Sequence, residues 1–152
     1  MFDAAQAIIH PERHVWLVRA NGKPQQQRSI RMKIAIPSET DAGLESIRSG
    51  HFGHAAYMTV VEFDDDMNIV GVESVKNADH DAVGCGGVID FVSGIGVDGI
   101  LTVGMGMPPF TRFTNAGIKV YSDTTEPNVG NVARLFAEGK VALMDPANAC
   151  RH

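Results

Sequence analysis

GGVIDFVSGIGVDGILTV, residues 86–103, decides the fold class of this chain. The apolar residues of its first half recur at helical spacing: Val88, Ile89, Phe91, Val92 and Ile95. Residues 99–103 form a short apolar run that is typical of a strand buried on both faces. A helix that leads into a buried strand predicts a crossover unit, and therefore an α/β fold.

The sequence on either side of this unit adds further strands and helices. Five strands are predicted, at about 32–37, 55–63, 68–76, 99–103 and 118–121. Helices are predicted at about 86–94, 108–116 and 128–138, the last ending at Gly139. Because the polar turn Asp64-Asp65-Asp66 joins the second and third strands as a hairpin, we expect a mixed five-stranded sheet in the order 3-2-1-4-5. Strand 2 is antiparallel in this arrangement, and helices cover both faces.

Composition and length favour one globular domain with short extensions. The chain has 152 residues, of which 44% are hydrophobic and 20% charged, so it can bury a core of its own. We expect an appendage at 1–31, a domain at 32–143 and a tail at 144–152. The polar stretch 23–29 predicts a linker. Within the appendage, the strand-like residues 14–18 and the turn dipeptide Asn21-Gly22 allow an extra edge strand, and a start-site artefact stays open as an alternative.

Charge and targeting signals exclude several partners. Residues 1–31 carry a net charge of +3, which leaves about −8 on the remainder of a chain whose total is −5. An acidic body lacks the cationic surface that nucleic-acid binding requires, so no nucleic-acid partner is expected. No apolar run approaches the roughly 18 residues of a membrane span, and the first residues lack a secretory signal. With only two cysteines, we expect a cytoplasmic protein without a disulfide framework or a membrane partner.

Three short glycine-containing segments follow predicted strands. They are HFGH at 51–54, HDAVGCGG at 80–87 and GMGMP at 104–108. If the strands at 32, 68, 99 and 118 are parallel, the connections after them leave from one edge of the sheet, where ligands of open α/β sheets bind. The sequence therefore predicts that the three segments form one site.

The residue types in these segments favour an anion that contains a soft metal. Glycine lets backbone N–H groups approach a ligand, and consecutive amides form a concavity that binds anions. Cys85, His51 and His80 supply thiolate and imidazole, which bind transition metals. The flanking glycines of Cys85 and its expected place at a helix start favour an accessible thiolate. Structural alternatives stay open: an ordinary loop role for His51, burial for Cys85 and core filling for Met105.

Five short motifs carry a resemblance to a known family. They are MKIAIP at 32–37, HFG at 51–53, GCG at 84–86, GMG at 104–106 and AGIKVY at 116–121. Over residues 32–143 the chain resembles the nitrogenase iron-molybdenum cofactor biosynthesis family, and is similar to its small stand-alone members of the molybdenum-copper orange-protein type. The chain departs from the pattern at three places. His54 and Ala55 follow HFG where a basic residue is common, Ala82 stands where the second motif often has glycine, and Val103 precedes Gly104 where another glycine is frequent.

The resemblance implies a ribonuclease-H-like, three-layer fold and a nitrogenase accessory protein that carries an anionic metal–sulfur cluster or its precursor. The cargo would be an iron-molybdenum, iron-sulfur or molybdenum-copper species, and the partners would be donor and recipient proteins of cluster assembly. We expect the cargo to be contacted by Phe52, Gly53, Gly84, Gly86, Gly87, Gly104, Met105 and Gly106. The expected metal ligands are His51, His80 and Cys85.

An enzyme is the alternative class. Cys85 would then be a nucleophile activated by His51 or His80. No third residue that would orient such a base is recognisable, so a carrier without catalytic residues is favoured. Cys150 and His152, near the end of the chain, are further soft donors whose role stays open.

Overall fold

A computed structural model describes residues 14–15, 28–29 and 31–145, with the backbone alone described at 14–15, 28–29, 80–81 and 85. The described residues form eight strands: β1 (His14–Val15), β2 (Arg28–Ser29), β3 (Met32–Ser38), β4 (Tyr57–Phe63), β5 (Ile69–Lys76), β6 (Gly99–Thr102), β7 (Lys119–Ser122) and β8 (Ala142–Leu143). The helices are α1 (His80–Ile95), α2 (Met107–Asn115) and α3 (Val129–Ala137), with a 3₁₀ turn at Gly43–Glu45.

The main sheet has the order β5-β4-β3-β6-β7-β8. β3 is antiparallel to β4 and parallel to β6, while β6 and β7 are parallel. The predicted order of five strands and the antiparallel second strand are therefore confirmed. The predicted number of strands is wrong, because β8 adds a sixth strand antiparallel to β7. A strand of two residues has no periodicity by which the sequence could predict it.

Helices cover both faces of this sheet, so the mixed α/β prediction is confirmed. On one face, α1 and α2 bury Val92 and Phe113 against Ala35 and Ile100. On the other face, α3 buries Val132 and Phe136 against Ile34 and Leu101. These two residues are the immediate neighbours of Ala35 and Ile100 in the same strands. This alternation follows from the two-residue period of a strand, and it makes both sides of β3 and β6 apolar.

The start of α1 differs from the prediction. The sequence predicts that this helix begins at about residue 86, but it begins at His80, and the amides of Ala82 and Val83 donate to the carbonyl oxygen of Asp79 at 3.0 and 2.9 Å. Gly84 then interrupts the helix with φ 71° and ψ 179°. A residue with a side chain rarely adopts that φ. The glycines of this segment therefore mark a break between two helical pieces.

The two ends of the described chain add short strands. β1 and β2 pair with each other in a separate two-stranded sheet, with His14 opposite Ser29, whereas the sequence allowed an edge strand there. The predicted Asn21-Gly22 turn lies outside the described residues. At the other end Met144 is buried and donates its amide to the carbonyl oxygen of Val120 at 2.8 Å. No described helix has the length and apolarity to cross a membrane.

Candidate functional site

A groove of about 1040 Å³ opens at the carboxyl edge of β6 and β7. One wall is Gly50–His54, the connection that follows β3, and the floor is Val103–Gly106, directly after β6. Ser122 at the end of β7 and Ala142–Asp145 at the β8 edge form the opposite side. The expected convergence of loops at this edge is thus present for two of the three glycine-containing segments.

The wall formed by 50–54 is fixed from behind. The buried side-chain amide of Asn77 donates to the carbonyl oxygens of Phe52 and Ala55 at 3.0 and 2.9 Å. The Phe52 ring packs edge-on against Phe113, with ring centres 5.5 Å apart. Phe52, expected to contact the cargo, therefore has its ring in the core. Gly53 is also buried although it lines the groove, and the flanking His51 and His54 are exposed.

The floor of the groove leads into α2. Gly106 is the extended residue that precedes this helix, and its carbonyl oxygen accepts from the amide of Phe110 at 3.2 Å. Gly104 and Gly106 are half-buried, whereas Met105 is 4% exposed and belongs to the hydrophobic core. The core-filling alternative for Met105 thus describes most of its side chain, although part of the residue still lines the groove.

The third glycine-containing segment lies elsewhere. Its glycines do not line the groove; they are Gly84, Gly86 and Gly87. Gly86 faces α2, because a Cβ added there would come within 2.8 Å of Arg112 Nη1. Arg112 also pairs with Asp90 of α1 at 3.9 Å. The expectation that all three segments share one concavity is therefore not met by the described residues.

A smaller cavity of about 380 Å³ adjoins the groove and shares Gly53 and His54 with it. Its other side is Lys76–Asp79, which leads directly into α1. His80 and Cys85, two of the expected metal ligands, belong to the α1 backbone on either side of the Gly84 break, and their side chains lie outside the described part. Among the described side chains, no group of three His, Cys, Asp or Glu has the geometry to hold a metal ion.

His54 is the site residue that sequence reasoning missed. Its ring lies edge-on to that of His51, with ring centres 6.2 Å apart and planes at 89°. Both side chains are exposed, and both line the groove. The signal in the sequence was that the two histidines of HFGH are three residues apart. This spacing brings side chains together in a helix, but it does not determine their distance in a loop.

A buried ion pair holds the connection after β3 onto the connection after β7. Arg48 donates from Nη1 to Asp123 Oδ2 at 3.0 Å and to the Glu126 carbonyl oxygen at 2.8 Å. Burial lowers the pKa of Arg48, against the opposing charges of Asp123 and Glu126. Burial raises the pKa of Asp123, but the amides of Glu126 and Thr125, the Thr125 hydroxyl and the Arg48 charge outweigh it, so that pKa lies below its ordinary value.

Solved structures share this fold. The chain is similar to the crystal structure of PH0822, with 29% identity, a TM-score of 0.63, and coverage of 74% of this chain and 96% of that one. It is also similar to the apo form of the orange protein from Desulfovibrio gigas, with 26% identity, a TM-score of 0.61, and coverage of 74% and 92%. An NMR structure from Thermotoga, TM1290, assigned to the DUF35 family, shares the fold at 23% identity, a TM-score of 0.55, and coverage of 80% and 99%.

No curated protein sequence matches the chain significantly. The family model described as dinitrogenase iron-molybdenum cofactor matches residues 32–139. This range runs from the first residue of β3 to the glycine that follows α3, so it includes both loops that line the groove. The chain belongs to the dinitrogenase iron-molybdenum cofactor family.

Proposed function

We propose that this protein binds and carries an anionic metal–sulfur cluster or its precursor in the groove at the carboxyl edge of β6 and β7. The observation that carries the proposal is that the 51–53 and 104–106 segments line one groove of about 1040 Å³ together with the imidazoles of His51 and His54. Membership of the iron-molybdenum cofactor family supports a cluster-related role.

The chemistry of the groove suits a cargo that must be released again. Glycine at 104 and 106, both half-buried, leaves backbone groups accessible to sulfide or oxide atoms. Transfer of a cluster is ligand exchange, which needs open access and moderate affinity more than it needs stabilisation of a transition state. Iron-molybdenum, iron-sulfur and molybdenum-copper species all satisfy this description, and we propose them as one class of cargo.

We also propose a second part of the site at the start of α1, which follows the Lys76–Asp79 side of the smaller cavity in the chain. Its residues are Gly84, Gly86, Gly87, His80 and Cys85. We propose residues 32–143 as the carrier unit, donor and recipient proteins of cluster assembly as its partners, and the cytoplasm as its compartment. The ribonuclease-H-like description of the fold is likewise a proposal.

Titration of the full chain with tetrathiomolybdate plus copper, and separately with iron-sulfur precursors, tests the carrier role. We expect binding near one to one, with changes in visible absorption and in the amide NMR shifts of 51–54 and 104–107. The amides of the hairpin turn at 64–68 are the internal control, because the β4–β5 turn lies at the opposite edge of the sheet. Unchanged spectra with every cargo would overturn the proposal.

Turnover of a thioester or phosphate ester that is lost in Cys85→Ser would favour the thiol-dependent enzyme instead.

A further inference from the structure

We propose that His51 and His54 together bind one late first-row divalent metal ion, through one nitrogen of each imidazole, on the wall of the groove. The proposal rests on the carrier function for its biological meaning, and it names the protein ligands at that site. It assigns His54, which the family pattern treats as a departure, as the partner of His51.

The two rings lie within reach of shared coordination. With a metal–nitrogen distance of about 2.0 Å and about 1.1 Å from nitrogen to ring centre, two imidazoles on one ion have ring centres about 5.1 Å apart at a tetrahedral angle and about 6.2 Å apart when opposed. The observed separation is 6.2 Å, so the rings must approach each other by about 1.1 Å to hold a tetrahedral ion. Both side chains are exposed, so rotation about their side-chain bonds can close this distance and direct a nitrogen of each ring at a common point.

The loop between the two histidines is held in place before any ion binds. Asn77 holds the carbonyl oxygens of Phe52 and Ala55, which lie on either side of the Gly53-His54 dipeptide. The amide of His51 donates to Ser49 Oγ at 3.3 Å, and the Phe52 ring is buried against Phe113. Since the backbone is fixed, the ordering cost of binding falls mainly on the two imidazoles.

Two imidazoles favour zinc, copper or nickel over magnesium or calcium, which prefer oxygen ligands. Two protein ligands also leave coordination positions of the ion open. Sulfide or thiolate from a cargo in the groove can fill those positions. A metal ion at this pair would therefore link the protein to a sulfur-rich anion and release it by ligand exchange.

Zn²⁺ alone, added to the full chain, is the probe. We expect the ring resonances of His51 and His54 in a ¹⁵N imidazole NMR spectrum to shift together and to saturate near one equivalent. His51→Ala and His54→Ala should each weaken Zn²⁺ binding at least ten-fold in calorimetry. The double variant should lose little more than either single variant, because one remaining ring cannot chelate. His10→Ala and His14→Ala are matched controls and should leave the affinity within two-fold.

Thermal unfolding of the two single variants should show that the fold survives, since both side chains are exposed. Additive losses, or Zn²⁺ shifts at His80 with His51 and His54 unchanged, would overturn the pair. These outcomes are independent of the carrier test. Suppose that tetrathiomolybdate binds wild type and His54→Ala with equal affinity and that Zn²⁺ does not shift the His54 resonances. The metal site at His51 and His54 is then wrong, while the carrier function is still supported. If Zn²⁺ binds at His51 and His54 but no metal–sulfur cargo binds, the carrier function is wrong while the metal site is still supported.

Discussion

The side chain of Asn77 donates a hydrogen bond to the carbonyl oxygen of Phe52, 25 residues earlier in the chain, at 3.0 Å. The same amide group donates to Ala55, and its oxygen accepts from the amide of Ala78. One buried side chain thus joins the end of β5 to the loop that carries His51 and His54. The loop with both imidazoles is thus held by a residue that lies outside the five motifs on which the resemblance rests.

Asn77→Ala should destabilise the protein by about 1–3 kcal/mol, because it leaves two loop carbonyl oxygens without their donor. The variant should also bind Zn²⁺ and metal–sulfur cargo more weakly than wild type, since the loop becomes free to move. Urea unfolding and calorimetry measure the two effects. Asn131→Ala is the control, because its side-chain hydrogen bonds are exposed. Equal stability of Asn77→Ala and wild type would contradict the anchoring role.

Arg48→Ala should cost about 3–5 kcal/mol of unfolding free energy, because it leaves the largely buried Asp123 carboxylate without its partner. Lys140→Ala removes the exposed pair with Glu138 and should change stability by less than about 1 kcal/mol. Urea unfolding of both variants compares the two positions directly. Similar small losses at the two positions would show that the Arg48 pair contributes no more than a surface pair.

Acid should weaken the part of the stability that depends on Asp123. The pKa of this carboxyl is lowered from 3.8 in the folded chain, so its contribution is complete above about pH 5 and is lost as the pH falls through the folded pKa. The stability difference between wild type and Asp123→Asn should therefore narrow as the pH is lowered below about 4. Urea unfolding between pH 6 and pH 2 measures it. A difference that stays constant over this range would contradict the lowered pKa.

Two glycines should respond differently to alanine. A Cβ at Gly99 would lie 2.9 Å from the Tyr121 ring, 3.0 Å from Ile34 and 3.1 Å from the Lys119 carbonyl oxygen, so Gly99→Ala should destabilise by about 1–3 kcal/mol. At Gly86 the close atom is the end of the exposed Arg112 side chain. Gly86→Ala should therefore keep or raise stability, since alanine favours helix. If Gly86 contacts the cargo, the same variant should bind it more weakly, and unchanged cargo affinity would remove Gly86 from the site.

Cys85→Ser should weaken retention of a metal–sulfur cargo about ten-fold, or about 1.4 kcal/mol, because oxygen replaces a soft ligand. Cys150→Ser, in the predicted tail, should have a much smaller effect. Dissociation of bound cargo after gel filtration, followed by visible absorption, compares the two variants. Equal retention in wild type and Cys85→Ser would leave the backbone amides and the histidines as the receptor.

Sequence periodicity was sufficient for most of the fold. Apolar alternation and helical spacing report burial residue by residue, and short connections restrict how neighbouring elements can pair. The order of the five longer strands follows from these local signals. β8 did not, because Ala142–Leu143 is too short to have a period and pairs only through the backbone of Tyr121 and Ser122.

The site divides in the same way. The sequence alone predicted the edge of the sheet at which the site lies, the two loops that line the groove, and His51 as a candidate ligand. These predictions were possible because the direction of each strand determines where its connection leaves. Only the tertiary structure placed His54 beside His51, and directed Gly86 toward Arg112 instead of the groove. In an irregular loop, the distance between two side chains depends on backbone angles. This loop is held by Asn77 and Phe113, which contact Phe52, are distant from it in sequence and leave no local pattern.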